Sequence, residues 1–117
     1  MATDSLELVL LGTSSPIHTP HRFGPSQVIT DGRTRIMVDT GWGSTLRLYQ
    51  AAMPPQSIDA IFITHLHSDH TTDLADFLVM RWVGGVNWRM SKSLLNINTG
   101  RLTLVSKLLR SLPVASE

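Results

Sequence analysis

No stretch constrains this chain as strongly as Thr64-His65-Leu66-His67-Ser68-Asp69-His70, which gathers three of the five histidines and an aspartate within six residues. It follows directly on the apolar run Ile58-Asp59-Ala60-Ile61-Phe62-Ile63. Imidazole nitrogen and carboxylate oxygen are the ligands a borderline cation such as zinc takes where no thiolate is offered, and the chain has no cysteine. In an extended segment side chains alternate faces, so His65 and His67 point the same way and can grip one metal. A turn after Ser68 swings Asp69 and His70 toward a second metal. Two cations about 3.5–4 Å apart form a clamp that activates water against a phosphoryl or carbonyl centre.

The remaining segments arrange themselves around that motif. Ser5 to Leu11 alternates and then turns wholly apolar, as a first strand entering a core does. Gly12 to Pro25 reads as a loop rich in Gly, Ser, Pro and His. Gln27–Thr30 and Thr34–Asp39 read as strands joined at Asp31-Gly32, residues suited to a tight hairpin turn. Ser44 is the expected N-cap of a helix through about Ala52, with Leu46, Tyr49 and Gln50 setting its faces, stopped by Pro54-Pro55. A strand over Ala60–Thr64 delivers the ligand motif. Asp73 and Asp76 then fall in the first turn of a helix from Leu74 to about Trp82, where acids suit the positive end of the dipole, and Gly84-Gly85 ends it. Residues 87–101 show no clean period. From Leu102 the spacing of Val105, Leu108, Leu109 and Leu112 makes an apolar helical stripe, with Lys107 and Arg110 off it and Pro113 closing it.

Residues 1–80 hold four arginines against eight acids, a balance of −4, whereas 81–117 hold four arginines and two lysines against Glu117, a balance of +5. Hydrophobic residues make up 42% and charged residues 16%, which suits a globular domain and excludes a disordered chain. At 117 residues there is room for one domain at most, with a modest core. The N-terminus lacks a basic region followed by an apolar stretch, and no run approaches the ~20 apolar residues of a membrane span. The expected place is the cytoplasm, without membrane attachment.

The spacing His65-x-His67-x-Asp69-His70 after a strand resembles the signature of the metallo-β-lactamase fold superfamily. Leu10-Leu11-Gly12-Thr13 and Met37-Val38-Asp39-Thr40-Gly41 resemble two further motifs of it, and LGT, HRFGPS, VDTG and ITHLHSDH together are most similar to the ribonuclease Z and arylsulfatase-like branch. The likeness runs from about Leu6 to about Gly85. It implies an α/β (α+β) fold, the N-terminal half of an αββα sandwich, with 1–85 a partial domain and 86–117 a divergent tail, helical at 102–112.

That resemblance implies a metal-dependent hydrolase with two zinc ions, or manganese or iron in their place. His65 and His67 would hold the first ion and Asp69 and His70 the second, with Asp69 also catalytic, orienting a metal-bound hydroxide. Asp39 would stand behind the ligands, accepting a hydrogen bond from one of them or from the motif loop. The substrate would be an RNA phosphodiester or a smaller ester such as a sulfate ester. Among the other candidates, Thr64 and Ser68 are expected to bind backbone. His18 and His21 lie in a loop that borders the site, Trp42 stands near its mouth, and Asp73 occupies a position where many members carry glycine.

The family completes its site with a histidine, a bridging aspartate and a final histidine from downstream, but here no histidine follows His70 and no aspartate follows Asp76. Two ligands per ion fall short of the about four of a zinc site, one of which is left to water in catalytic sites. Two expectations follow: an enzyme whose missing half comes from a homodimer or a partner chain, or a truncated, catalytically inactive fragment or binding module. In either case a sheet face normally covered by the second half is left apolar and exposed.

Overall fold

A computed structural model of the chain describes residues 5–85 and 94–96. A single sheet carries the strands in sequence order: β1 (Glu7–Gly12), β2 (Ser26–Thr30), β3 (Arg35–Val38), β4 (Ala60–Ile63) and β5 (Leu94–Asn96). The pairings β1–β2 and β2–β3 are antiparallel, while β3–β4 and β4–β5 are parallel. It follows that β1, β3 and β4 run the same way, and Gly12, Asp39 and Thr64 all lie at one end of the sheet. The expected helical tail at 102–112 lies outside the described residues.

The register sorts the side chains. Val9, Val28, Met37 and Ile61 form one row across β1 to β4, and with Leu11 and Ile63 they face the helices. These are α1 (Ser44–Gln50), the short α2 (Ser68–Thr71) and α3 (Leu74–Val83). Leu48 of α1 and Phe77 of α3 close the core over this face together with Ile58. Burying each of the two fully contributes about 1.5–3 kcal/mol. β4 is buried at all four positions, with both of its faces covered, and a strand covered on both faces runs apolar instead of alternating.

The opposite face carries the rows Leu8, Ile29, Ile36, Ala60 and Leu10, Gln27, Val38, Phe62. Leu8 is 59% exposed and Leu10 55%, so the expected uncovered apolar face is present at β1.

Three local expectations need correction. The hairpin turn is a four-residue loop, with Thr30 paired to Arg35. Oδ1 of Asp31 accepts the amides of Arg33 and Thr34 at 2.9 and 2.6 Å, so the aspartate builds the loop through its side chain and a two-residue turn is not needed.

Ser44 is not the N-cap of α1. Gly43 holds that position with φ 73°, and no side chain of its own neighbourhood caps the helix. The cap comes instead from Asp73, whose Oδ2 accepts the amide of Thr45 at 2.7 Å and the hydroxyl of Ser44 at 3.3 Å. Asp73 therefore precedes α3 and serves α1. The faces of α1 also differ: Leu46 and Tyr49 are exposed, and Leu48 is the side chain that points inward. Ala52, at φ 55°, lies beyond the helix.

Candidate metal centre

The centre is built at the ends of β3 and β4. The amide of Asp39 donates to the Phe62 carbonyl at 2.8 Å, which continues the β3–β4 ladder one step past the strand. At Asp39 the backbone then turns to φ 60°, a conformation that aspartate tolerates better than most residues. The turn aims its carboxylate, 6% exposed as a residue, at the segment leaving β4. Oδ1 accepts the Thr64 amide at 2.7 Å, and the Thr64 hydroxyl donates to Oδ2 at 2.8 Å.

The same Oδ2 lies 2.7 Å from His70 Nδ1. Against a carboxylate that nitrogen must be the donor, which leaves Nε2 of His70 with its lone pair free. His65 is set in the same way. Its Nδ1 is 2.9 Å from Thr64 Oγ1, whose only proton is directed at Asp39, so Nδ1 donates and Nε2 is the free donor atom. One buried carboxylate thus orients two imidazoles, one directly and one through a hydroxyl.

The rings cluster as the motif spacing implies. His65 and His67 have centroids 4.6 Å apart at 75°, and His65 and His70 lie 4.1 Å apart. Asp69 Oδ2 is 3.5 Å from His70 Nε2. The turn that brings Asp69 and His70 round begins at Ser68, where α2 starts, and the His70 amide donates to the His67 carbonyl at 3.0 Å. The loop after β3 holds the turn from outside: the Thr40 amide and hydroxyl donate to the His70 carbonyl, and the Asp73 amide donates to the Thr40 carbonyl at 3.0 Å.

In kind these donors fit a divalent cation, since neutral imidazole nitrogen beside carboxylate oxygen is zinc chemistry. In number they do not complete it. Among the described residues no group of three or more His, Cys, Asp or Glu side chains is arranged to hold one ion.

Two of the roles were not visible along the chain. Thr64 binds the Asp39 carboxylate, not backbone, because the two strand ends meet only in the folded sheet. The fastening of the Asp73 carboxylate to α1 links positions 28 residues apart, and no local pattern marks it. His18 stacks on Trp42 at 4.4 Å, and Phe23 lies 5.1 Å from the same ring. His21 lines a cleft at the end of β1.

Comparison with known proteins follows the same outline. The family model described as "Anti-Pycsar protein Apyc1" matches residues 6–98. A ribonuclease Z of Mycobacterium sp. (strain KMS) is 44% identical over 78 residues, covering 67% of this chain and 27% of the relative. The chain thus spans about a quarter of the length of the curated relatives it matches. The crystal structure of the metallo-β-lactamase fold protein YhfI from Bacillus subtilis superposes with TM-score 0.66 at 20% identity, over 71% of this chain and 34% of that one. The short form of human tRNase Z gives TM-score 0.62 at 29% identity, over 65% and 29%. The sheet and its helices have the metallo-β-lactamase fold, in an N-terminal segment similar to ribonuclease Z. No helix among the described residues is long and apolar enough to cross a membrane.

Proposed function

The chain belongs to the anti-Pycsar protein Apyc1 family, and on that premise we propose that it is the N-terminal part of a metal-dependent hydrolase of phosphodiester bonds. The observation that carries this reading is the hydrogen bond between Asp39 and His70. A metal-ligating histidine characteristically gives its second ring nitrogen to a carboxylate, which fixes the tautomer and raises ligand basicity. The histidines of an ordinary surface loop have no need of a buried acid behind them.

His65 and His67 would hold one ion and Asp69 and His70 another. Zinc, two ions in the full site, suits the donors best, and manganese or iron suits them nearly as well. When bound, such ions would lower the pKa of a coordinated water to about 7 and polarise a phosphoryl oxygen. The chain's own contribution is orientation. Asp39 and Thr64 present the Nε2 atoms of His70 and His65, while Asp69 offers a carboxylate oxygen beside them for a metal or an attacking water. The proposed division is a partial domain over 1–85 and a divergent tail over 86–117, although the β4–β5 pairing and the family match to residue 98 reach into that tail.

The relatives named ribonuclease Z support an RNA phosphodiester as substrate. Sulfate esters are the other ester class to assay, and the cytoplasm is the proposed place of action. The donors absent here would come from a partner chain or from a homodimer pairing two half-sites around shared ions. A second reading is a binding module that keeps the motif without turnover, favoured by the shortfall of donors among the described residues.

The test is hydrolysis of a chromogenic phosphodiester and of an aryl sulfate by the purified chain in added zinc or manganese. Metal-dependent phosphodiester cleavage that disappears in His67→Ala supports the hydrolase. Metal binding through the same histidine without cleavage of either ester supports the binding module.

A further inference from the structure

The turn that carries Asp69 and His70 has no apolar packing to hold it in place. α2 is four residues long and none of them is buried, and a single helical turn does not hold itself together in water. The hydroxyls of Thr71 and Thr72 donate back within the turn, to the carbonyls of His67 and Ser68. Its position must therefore come from hydrogen bonds to its surroundings. β4 fixes the end that leads into His65, and at the other end stands Asp73.

Asp73 directs each of its polar groups to a different element. Its amide donates to the Thr40 carbonyl at 3.0 Å, and its carbonyl accepts the Phe77 amide of α3 at 2.9 Å. Its carboxylate crosses to α1, where Oδ2 accepts the Thr45 amide at 2.7 Å and the Ser44 hydroxyl at 3.3 Å. The receiving segment is itself pinned. Thr40, Ser44 and Thr45 are buried. The Gly41 amide donates to the Pro25 carbonyl at 3.0 Å, and the Trp42 carbonyl accepts the Gly24 amide at 2.9 Å. The same segment grips His70, three residues before Asp73. The Thr40 amide donates to the His70 carbonyl at 2.8 Å, and Asp39 holds the ring.

We propose that Asp73 is a positioning residue: its carboxylate anchors the far end of the ligand turn to the first turn of α1 and so keeps the His70 ring on Asp39, with Nε2 turned toward the proposed metal. The inference rests on the metal-binding reading above and adds to it a residue that touches neither metal nor substrate. A shift of the anchor reaches His70 through one turn of backbone. Hydrogen bonds weaken steeply with misalignment, so a small rotation of the turn breaks the Asp39–His70 contact before it breaks the fold. A cap whose effect were confined to α1 would leave the histidine unchanged, and this separates the two roles.

The experiment reads the ring before it reads the metal. Long-range proton–nitrogen NMR of the 117-residue chain in EDTA, at about pH 8 where an ordinary imidazole is neutral, reports the tautomer of His70. The variants are Asp73→Ala, Asp73→Asn, Ser44→Ala and, as a truncation in the core, Ile58→Val. The unaltered chain should show the Nδ1–H form. Asp73→Ala should lose that preference and bind zinc about tenfold more weakly by calorimetry, the lower end of what loss of an outer partner costs a metal ligand. Ser44→Ala, which deletes the longer of the two contacts, should move the same way by less. Asp73→Asn, which can still accept the Thr45 amide, and Ile58→Val should keep both the tautomer and the affinity. The proposal is overturned if Asp73→Ala keeps the His70 tautomer, whatever its zinc affinity, or if Ile58→Val loses that tautomer as well. A tautomer lost in Asp73→Ala, beside zinc binding that is indistinguishable in the unaltered chain and His67→Ala, would leave the anchor standing and refute the metal reading.

Discussion

Asp39 Oδ2 and His70 Nδ1 lie 2.7 Å apart although 31 residues separate them in the chain. One residue ends a strand and the other sits in the turn that follows the neighbouring strand, so the contact exists only once β3 and β4 have paired. Formation of the sheet and orientation of the proposed ligands are therefore a single event.

Asp39→Asn keeps the size of the side chain and its tolerance of a positive φ, but it removes the charge that holds two imidazoles in one tautomer. Zinc affinity, measured by isothermal titration, should fall by about 10–100-fold, the usual cost of losing the partner behind a metal ligand. Asp39→Ala also strips the Thr64 amide of its acceptor. It should lose about 1–3 kcal/mol of folding stability in urea titration.

Asp73→Ala should cost about 0.5–2 kcal/mol, the worth of a helix N-cap, even though the helix it caps begins 29 residues upstream. Asp73→Asn, which can still accept the Thr45 amide, should lose less. Equal losses in the two variants, read from urea midpoints, would mean that charge at the helix end matters more than the hydrogen bond.

Gly24→Ala places a methyl group against the backbone of Gly41 and Trp42, where no side chain can move aside. Overpacking of this kind costs about 1–3 kcal/mol. Because Gly24 joins the loop after β1 to the loop after β3, proteolysis in the segment 13–25 should quicken in the variant.

The Asp31 carboxyl is held below its ordinary value of 3.8, first by the Thr34 amide and then by the Arg33 amide. With the folded value the lower one, its contribution is fully present above pH 3.8 and is lost as pH falls through the folded value. Asp31→Asn keeps an acceptor but cannot titrate. The stability difference between the two proteins should hold steady above pH 5 and shrink below pH 3.8, as followed by thermal melts across that range.

Much of this architecture is legible in the sequence because its causes are local. The alternation in Glu7–Leu11, the apolar run of β4 and the spacing of His65, His67 and His70 each follow from a period or a turn that neighbouring residues define. The α1 cap was not legible for the opposite reason: Ser44 is a good local candidate, and a carboxylate arriving from the ligand loop displaced it. Thr64 likewise looks like a strand terminus until Asp39 is placed opposite. Residues 102–112 carry a clear apolar stripe in the sequence, but they lie outside the described residues.

The central claim is that the motif histidines, two of them held by Asp39, bind metal. Zinc titration of the 117-residue chain beside His67→Ala, followed by calorimetry, tests it most directly. The account predicts reversible zinc binding by the unaltered chain, weak because the donors are few, and at least about tenfold weaker in the variant, as loss of one of so few ligands requires. Zinc binding that is indistinguishable in the two proteins would contradict it.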